Sequence, residues 1–130
     1  MIKNKTEHRV RYAVTDHFGV VYYARYLDWF EAGRTEILRV RGITYSELEK
    51  EGYFAPVVKV EADYKKPARY DDLVTVETSV EKIGNSSIKF RYNIFNSDGE
   101  LLVDAYTINV FITKDMKSVN IPEKVRKALS

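Results

Sequence analysis

The sequence predicts an α+β fold, because helical and strand patterns occupy different parts of the chain. A single long apolar stripe with helical period runs over residues 23–41. After residue 56, four segments alternate apolar and polar residues as strands do. An antiparallel sheet of about five strands that curls around the helix would bury the stripe. Such an open sheet leaves an edge unpaired, so we expect a homodimer. Association of two such dimers into a dimer of dimers is a further expectation that the open edge does not itself require.

The first strand is predicted over residues 8–14. Val10, Tyr12 and Val14 face one way there and two arginines face the other way, which is typical of a half-buried strand. Segment 15–19 breaks this alternation, so we expect a loop before the helix.

The predicted helix over residues 23–41 is deeply packed. At about 100° per residue, its apolar side chains share a stripe roughly half the circumference wide. The stripe consists of Tyr23, Tyr26, Leu27, Trp29, Phe30, Gly33, Ile37, Leu38 and Val40. Arg34 projects near the centre of the stripe and needs a partner if it is buried, and Glu31 is the nearest candidate.

The rest of the chain predicts a short helix, four strands and a terminal helix. Thr44 and Glu47 have the spacing of a capping box, and Gly52 can end the short helix that they begin. The strands, over residues 57–64, 73–83, 88–95 and 101–113, read as an antiparallel meander. The last of them is apolar on both faces, which indicates a central position. Pro122 can open a final helix that runs to Leu129.

Length and composition suit one compact domain over residues 1–130. The chain has 130 residues, 45% of them apolar, and no repeat or flexible linker divides it. A net charge of +2 gives only weak long-range steering and disfavours a dedicated duplex-DNA binder. The start lacks the apolar core of a signal peptide, and no stretch reaches the roughly 18 apolar residues of a membrane span. A soluble, cytoplasmic protein is therefore expected.

The absence of cysteine narrows the possible chemistry. Without cysteine there is no thiolate nucleophile, disulfide or Cys-ligated metal. His8 and His17 are the two imidazole ligands and the acidic residues are dispersed, so no metal site is predicted. The motifs G-x-G-x-x-G, G-x-x-x-x-G-K-[ST], G-x-S-x-G and H-E-x-x-H are also missing, which removes support for nucleotide-binding and serine-hydrolase functions.

The strongest functional signal is segment 16–23, DHFGVVYY, at the join between the first strand and the long helix. A helix start exposes unpaired N–H groups with a partial positive charge, which can stabilise a developing oxyanion. A carboxylate such as Asp16 can attack a carbonyl or activate water, and Gly19 lets the main chain approach a ligand closely. These are the minimal parts for acyl transfer, although an Asp before a helix is most often a cap or a turn former.

Two motifs resemble one known family. The string RVRYAVTDHFGVVYYARYLDWFEAGR, which ends at Arg34, resembles the signature of hotdog-fold acyl-CoA thioesterases. Its branch contains 4-hydroxybenzoyl-CoA thioesterase and the Tol-Pal-associated acyl-CoA thioesterases. Segment 64–72, YKKPARYDD, resembles the family's approach to its third strand, and Ile121-Pro122 fits as well. The resemblance therefore covers almost the whole chain.

The resemblance implies one hotdog domain that hydrolyses an acyl-CoA thioester to a free carboxylic acid and coenzyme A, without metal or redox cofactor. It implies that Asp16 is the catalytic carboxylate, as nucleophile or as general base on water. It also implies that the backbone N–H of Tyr23 is the oxyanion donor. Gly19 and Val20 are expected to contact the substrate. Many relatives have a histidine in place of Tyr23, so a histidine-assisted mechanism is not expected here.

Three further residues have a structural explanation beside a functional one. Glu31 is the backup acid, because other hotdog branches place the catalytic carboxylate on the central helix, but it can equally pair with Arg34. Lys89 and Arg91 share one face of a predicted strand, where they could meet coenzyme A phosphates or form only a solvated sheet face.

Two other functions share parts of this pattern. The closer one is a hotdog domain that binds acyl-CoA without hydrolysing it, as a sensor or carrier, although Asp16 beside a thioester would serve binding poorly. An RNA-binding module would explain alternating basic and aromatic residues, but the RNP1 glycines and the βαββαβ order are absent. Neither nucleic acid nor stable membrane insertion is expected.

Overall fold

Five strands and three α-helices make up the described part of the chain. The structure, a computed structural model, describes residues 2–130. In chain order the elements are β1 (Lys3–Arg9), α1 (Tyr26–Arg39), α2 (Tyr45–Lys50), β2 (Val57–Tyr64), β3 (Leu73–Ile83), β4 (Ser87–Phe95), β5 (Leu101–Val110) and α3 (Glu123–Ala128). Two 3₁₀ turns, Tyr12–Val14 and Tyr23–Arg25, lie between β1 and α1. Within residues 2–130 none of the helices has the length and apolar character needed to cross a membrane.

The five strands form one antiparallel sheet in the order β1-β3-β4-β5-β2. Strands β3, β4 and β5 form the predicted meander. The prediction is wrong for β2, which pairs with β5 through Ala62 and Ala105 and lies at the far edge. Segment 65–72 therefore carries the chain across the sheet to β3. Strand β5 has a neighbour on each side, as its apolar character predicts, although β4 is the middle strand.

Helix α1 lies across one face of the sheet, over β1, β3 and β4. Its fully buried residues are Tyr26, Phe30, Gly33, Ile37 and Leu38. The Phe30 ring stacks on the ring of Tyr92 in β4, with centroids 4.6 Å apart. Removing such large apolar side chains from water, at about 2–3 kcal/mol each, is the main force that holds the helix on the sheet.

The apolar stripe of α1 is narrower than predicted. Tyr23, Leu27 and Val40 are 61%, 42% and 62% exposed, respectively. The helix covers part of the sheet, so residues at the margins of the stripe reach past the strands. The predicted partner of Arg34 is also wrong: in residues 2–130 no carboxylate forms an ion pair with it. Its guanidinium instead faces Tyr92 and acts against the rise that burial causes in the pKa of that phenol.

The N-terminal elements differ most from the prediction. Strand β1 ends at Arg9, and Tyr12–Val14 form a 3₁₀ turn where a strand was expected. Residues 3–9, KNKTEHR, contain no large aliphatic side chain, so apolar alternation cannot reveal the strand. The long helix begins with the Tyr23–Arg25 turn and becomes α-helical at Tyr26.

The remaining predictions agree closely with the structure. Strands β2 and β3 have the predicted bounds, whereas β5 ends at Val110 rather than at residue 113. The Thr44 hydroxyl accepts the N–H of Glu47 at 3.2 Å, which confirms the predicted N-cap of α2. Pro122 caps α3, the predicted terminal helix.

Candidate active site

The loop before α1 is fixed by main-chain pairing along its length. Thr15 and Val21 form an antiparallel bridge, and Val20 and Arg69 form another. The N–H of Val21 also donates to the carbonyl of Ala68 at 2.9 Å. The loop therefore has a defined position against the segment that leads into β3. The bridge between Thr15 and Val21 also places the residues around Asp16 beside those that lead into the helix.

Asp16 is half-buried and closes a tight turn within this loop. Its carboxylate Oδ1 accepts the N–H of Phe18 at 2.8 Å, and its carbonyl accepts the N–H of Gly19 at 3.0 Å. This is the turn-forming role expected of an Asp in this setting. Within residues 2–130 no donor bonds the second oxygen, Oδ2, and no cluster of acidic and imidazole side chains suits a metal ion. The hydrogen bond to one oxygen thus orients the carboxylate, and the second oxygen has no donor in the described part of the chain.

Gly19 completes the turn in a conformation that favours glycine. Its φ is +75°, a region that side chains of L-amino acids disfavour. The residue is exposed, and a Cβ atom there would have no neighbour within 4 Å. Backbone conformation, rather than crowding by the protein, therefore explains glycine at this position.

The start of the helical segment carries free N–H groups. The amides of Tyr23 and Ala24 donate to no acceptor in residues 2–130, whereas the N–H of Arg25 donates to the carbonyl of Tyr22 at 2.8 Å. Unpaired amides at a helix start carry a partial positive charge, which favours an oxyanion. The predicted donor at Tyr23 is therefore available, and its own side chain is exposed to solvent.

A cavity of about 250 Å³ lies beside this first turn. It is lined by Val21, Tyr23, Tyr26, Tyr64, Lys65, Lys66 and Pro67. The hydroxyl of Tyr64, the last residue of β2, donates to the main-chain carbonyl of Tyr23 at 3.0 Å. Sequence reasoning missed Tyr64, because 41 residues separate the two partners. The motif YKKPARYDD marks the region without revealing this contact.

Glu31 lies in a different place, at the wall of a cavity of about 900 Å³ between α1, α2 and the segments around Phe54 and Ile112. Arg34 and Tyr45 also line it, but no residue of segment 16–23 does. Within one protomer the structure therefore separates the backup acid from Asp16.

Lys89 and Arg91 lie on the outer face of β4, opposite α1. The Nζ atom of Lys89 is 2.9 Å from a carboxylate oxygen of Glu81. Arg91 pairs with Glu81 at 2.7 Å and with Asp104 at 2.8 Å. The hydrogen bonds from Arg91 and then Lys89 hold the pKa of Glu81 below its usual value. The Lys89 ammonium also lies 4.2 Å from the ring centroid of Tyr106. The structure thus gives both cations partners and does not bring them to Asp16.

A five-stranded antiparallel sheet packed on one long helix is the architecture of a hotdog domain, and here a carboxylate lies in the loop before that helix. The chain belongs to the thioesterase superfamily, whose family model matches residues 18–103. This confirms the family that the two sequence motifs predict.

Relatives and solved structures agree with this assignment. The acyl-CoA thioesterase YbgC of Haemophilus influenzae is 40% identical over 123 residues, which cover 92% of this chain and 89% of that protein. The acyl-CoA thioester hydrolase YbgC of Escherichia coli is 33% identical over 118 residues, 90% of this chain and 88% of that one. A crystal structure of the DHNA-CoA thioesterase from Staphylococcus aureus matches with a TM-score of 0.94 at 35% identity, over 98% of this chain and 89% of that one.

Proposed function

We propose that this thioesterase hydrolyses an acyl-CoA thioester to a free carboxylic acid and coenzyme A, with Asp16 as the reacting carboxylate. One observation carries the proposal: the unpaired N–H of Tyr23 opens a helical segment directly after the loop that holds a half-buried carboxylate with one free oxygen. An oxyanion donor and an attacking or activating group are the two parts that acyl transfer requires.

The chemistry follows from these two groups. The thioester oxygen accepts the N–H of Tyr23, which stabilises the charge that develops when the carbonyl is attacked. As a nucleophile, Asp16 Oδ2 bonds to the carbonyl carbon and coenzyme A leaves as the thiolate, after which water hydrolyses the mixed anhydride. As a general base, Asp16 takes a proton from water while the water oxygen bonds to the carbon, and the departing sulfur is protonated. Both routes use the same donor, which typically contributes about a hundredfold to a thousandfold in rate.

Substrate contacts are assigned to both ends of the acyl-CoA. Gly19 and Val20 lie between Asp16 and Tyr23 in sequence, and their contact with the thioester is a prediction that the small size of Gly19 supports. The role of Lys89 and Arg91 at the phosphates stays a prediction: each would have to exchange the carboxylates of Glu81 and Asp104 for phosphate oxygens.

Glu31 is a second candidate for the catalytic acid. The cavity at whose wall it lies, about 900 Å³, has the size typical of ligand sites, about 300–1,000 Å³. Catalysis by Glu31 would place the thioester in that cavity, away from the helix start. Comparing Asp16 with Glu31 by mutation is therefore the direct way to locate the reaction.

A homodimer that associates further into a dimer of dimers is part of the proposal. Helix α1 covers β1, β3 and β4 but leaves the inner face of the edge strand β2 open. Val58 and Val60 on β2 are 61% and 44% exposed. An apolar, unpaired edge strand is an association site, and a second copy of β2 would satisfy both its hydrogen bonds and its valines. A single domain over residues 1–130 and a cytoplasmic location remain predictions from the sequence.

The test is thiol release from a panel of acetyl-, butyryl-, octanoyl-, palmitoyl- and benzoyl-CoA, measured with a chromogenic disulfide. We expect one equivalent of free thiol for each equivalent of acid, with kcat/KM of at least about 10⁴ M⁻¹s⁻¹ for the preferred acyl group. Saturable binding of these compounds without thiol release would instead identify a sensor or carrier. Retention of RNA without thiol release would contradict the proposal outright.

A further inference from the structure

We propose that Tyr64 is a positioning residue for the oxyanion site, because its hydroxyl bonds the Tyr23 carbonyl and fixes the first helical turn. This inference rests on the proposed function, in which the N–H of Tyr23 receives the thioester oxygen. It concerns a side chain at the end of β2 that does not itself contact the reacting atoms.

The contact is specific in its geometry. Tyr64 Oη donates to the Tyr23 carbonyl oxygen at 3.0 Å, the long end of the range for an O–H donor. The carbonyl belongs to the 3₁₀ turn Tyr23–Arg25, where the regular α-helical hydrogen bonding has not yet begun. The hydrogen bonds of the helix restrain this turn only weakly, so a donor from another element, here Tyr64 of β2, can fix its conformation.

The Tyr64 ring is itself held in place. It lies against Tyr26, with ring centroids 5.3 Å apart, and meets the Tyr23 ring edge-on at 6.4 Å. Tyr26 is buried in the core, and its hydroxyl accepts the N–H of Ala68. The ordinary pKa of a tyrosine phenol, about 10, already leaves the hydroxyl protonated and able to donate at neutral pH, and partial burial raises the pKa of Tyr64 further. Tyr64 is 47% exposed, so its ring is held on one side by these contacts with Tyr23 and Tyr26 and meets solvent on the other.

The bond acts on the amides at the helix start in two ways. It restrains the main chain of Tyr23 from the carbonyl side, while the N–H of the same residue stays free for a ligand. It also polarises the peptide group that Tyr23 shares with Ala24, which strengthens the free N–H of Ala24 beside the donor rather than the N–H of Tyr23 itself. A preorganised donor favours the transition state more than the bound ground state, so its loss lowers kcat more than it raises KM.

The first test is Tyr64→Phe, which removes the hydroxyl and keeps the ring. We expect kcat to fall about fivefold to tenfold, as for the loss of one hydrogen bond, with KM changed less than about twofold. The matched control is Tyr70→Phe, an exposed tyrosine whose hydroxyl makes no hydrogen bond in residues 2–130 and whose ring pairs with Tyr12. Equal kcat values for wild type, Tyr64→Phe and Tyr70→Phe would overturn the inference. A lower activity of Tyr64→Phe that disappears when kcat is calculated per folded enzyme would overturn it as well.

A spectroscopic measurement separates positioning from a purely structural role. In an Asp16→Asn background, the carbonyl stretch of a bound, ¹³C-labelled thioester reports the hydrogen bond at the oxyanion site. The probe is the acyl-CoA of the panel above that the wild type turns over fastest. Adding Tyr64→Phe should move the stretch to higher wavenumber, and an unchanged stretch would contradict the inference. If Asp16→Asn is inactive but both Tyr64 results match the controls, this inference fails and the proposed function stands. Full activity of Asp16→Asn would instead reject Asp16 as the reacting carboxylate and leave thioester hydrolysis itself standing.

Discussion

Gly33 of α1 packs directly on Thr78 of β3: a Cβ atom at Gly33 would lie 2.2 Å from the Thr78 hydroxyl oxygen. That hydroxyl is buried and bonds no other group in residues 2–130. The absence of a side chain at Gly33 lets the helix approach the sheet closely. We therefore expect Gly33→Ala to lower the free energy of unfolding by about 1–3 kcal/mol through overpacking, measured by urea denaturation.

The control for this prediction removes the other side of the contact. Thr78→Ala deletes the hydroxyl, so Gly33→Ala should cost less in that background than in the wild type. If Gly33→Ala raised stability instead, by the gain of about 1 kcal/mol that alanine has over glycine in a helix, the close approach would be refuted.

The fold was largely predictable because most elements have a clear apolar period. Strands β2 and β3 and the cap of α2 are local features, and each was predicted from residues within the element. The order of the strands could not be predicted from local sequence. Strand β2 pairs with β5 and not with β3, the next strand in the chain, because the connection 65–72 crosses the sheet. Strand β1 was misplaced because its residues are polar on both faces.

Association through β2 predicts that a charge on its open face disrupts that interface and lowers the oligomeric state. Val60→Glu would place an uncompensated carboxylate between two apolar strands, which association would have to desolvate. We expect a lower molar mass by light scattering on a sizing column, with far-UV circular dichroism unchanged. Val40→Glu, which introduces the same charge at an exposed valine just beyond α1, should keep the wild-type mass. Unchanged association of Val60→Glu would exclude β2 as the interface.

The predicted phosphate contact of Lys89 is tested by changing the length of the substrate. Lys89→Gln should raise KM for the acyl-CoA and leave KM for the N-acetylcysteamine thioester of the same acid unchanged, because the short thioester lacks the nucleotide. Losing one exposed charge contact corresponds to about a threefold to tenfold change. Lys82→Gln, on neighbouring β3, is the matched control. A rise in KM for both substrates, or for neither, would leave Lys89 with the structural role it has beside Glu81.

The burial of His8 predicts that the free energy of unfolding decreases in the mildly acidic range. Its ring stacks on Trp29, with centroids 6.0 Å apart, and burial lowers its pKa. The unfolded chain therefore binds a proton more readily than the folded one, so stability falls as the pH drops below about 6.5. His8→Phe keeps a stacked ring without the titration. Urea denaturation between pH 7 and about pH 5 should show a smaller loss of stability in the variant, whereas parallel curves would remove His8 as the cause.

The residues proposed for the candidate site come from the sequence, whereas the contacts around them come from the structure. Asp16, Gly19 and Tyr23 stand close together in the chain, so a short motif identifies them. The Asp-x-x-Gly spacing also indicates the turn in which Asp16 accepts the N–H of Phe18. The bond from Tyr64 depends on how β2 meets the helix start, and the separation of Glu31 from Asp16 depends on the whole of α1. Neither leaves a local signal in the sequence.

The most direct test of the account compares thiol release by Asp16→Asn and Glu31→Gln on the preferred acyl-CoA. Both changes remove one carboxylate and keep the shape of the side chain. We expect Asp16→Asn to lose at least about a hundredfold in kcat while still binding substrate, since it removes the nucleophile or base, and Glu31→Gln to stay within a fewfold of the wild type. A fully active Asp16→Asn beside an inactive Glu31→Gln would move the reaction to the larger cavity and contradict the assignment of the site.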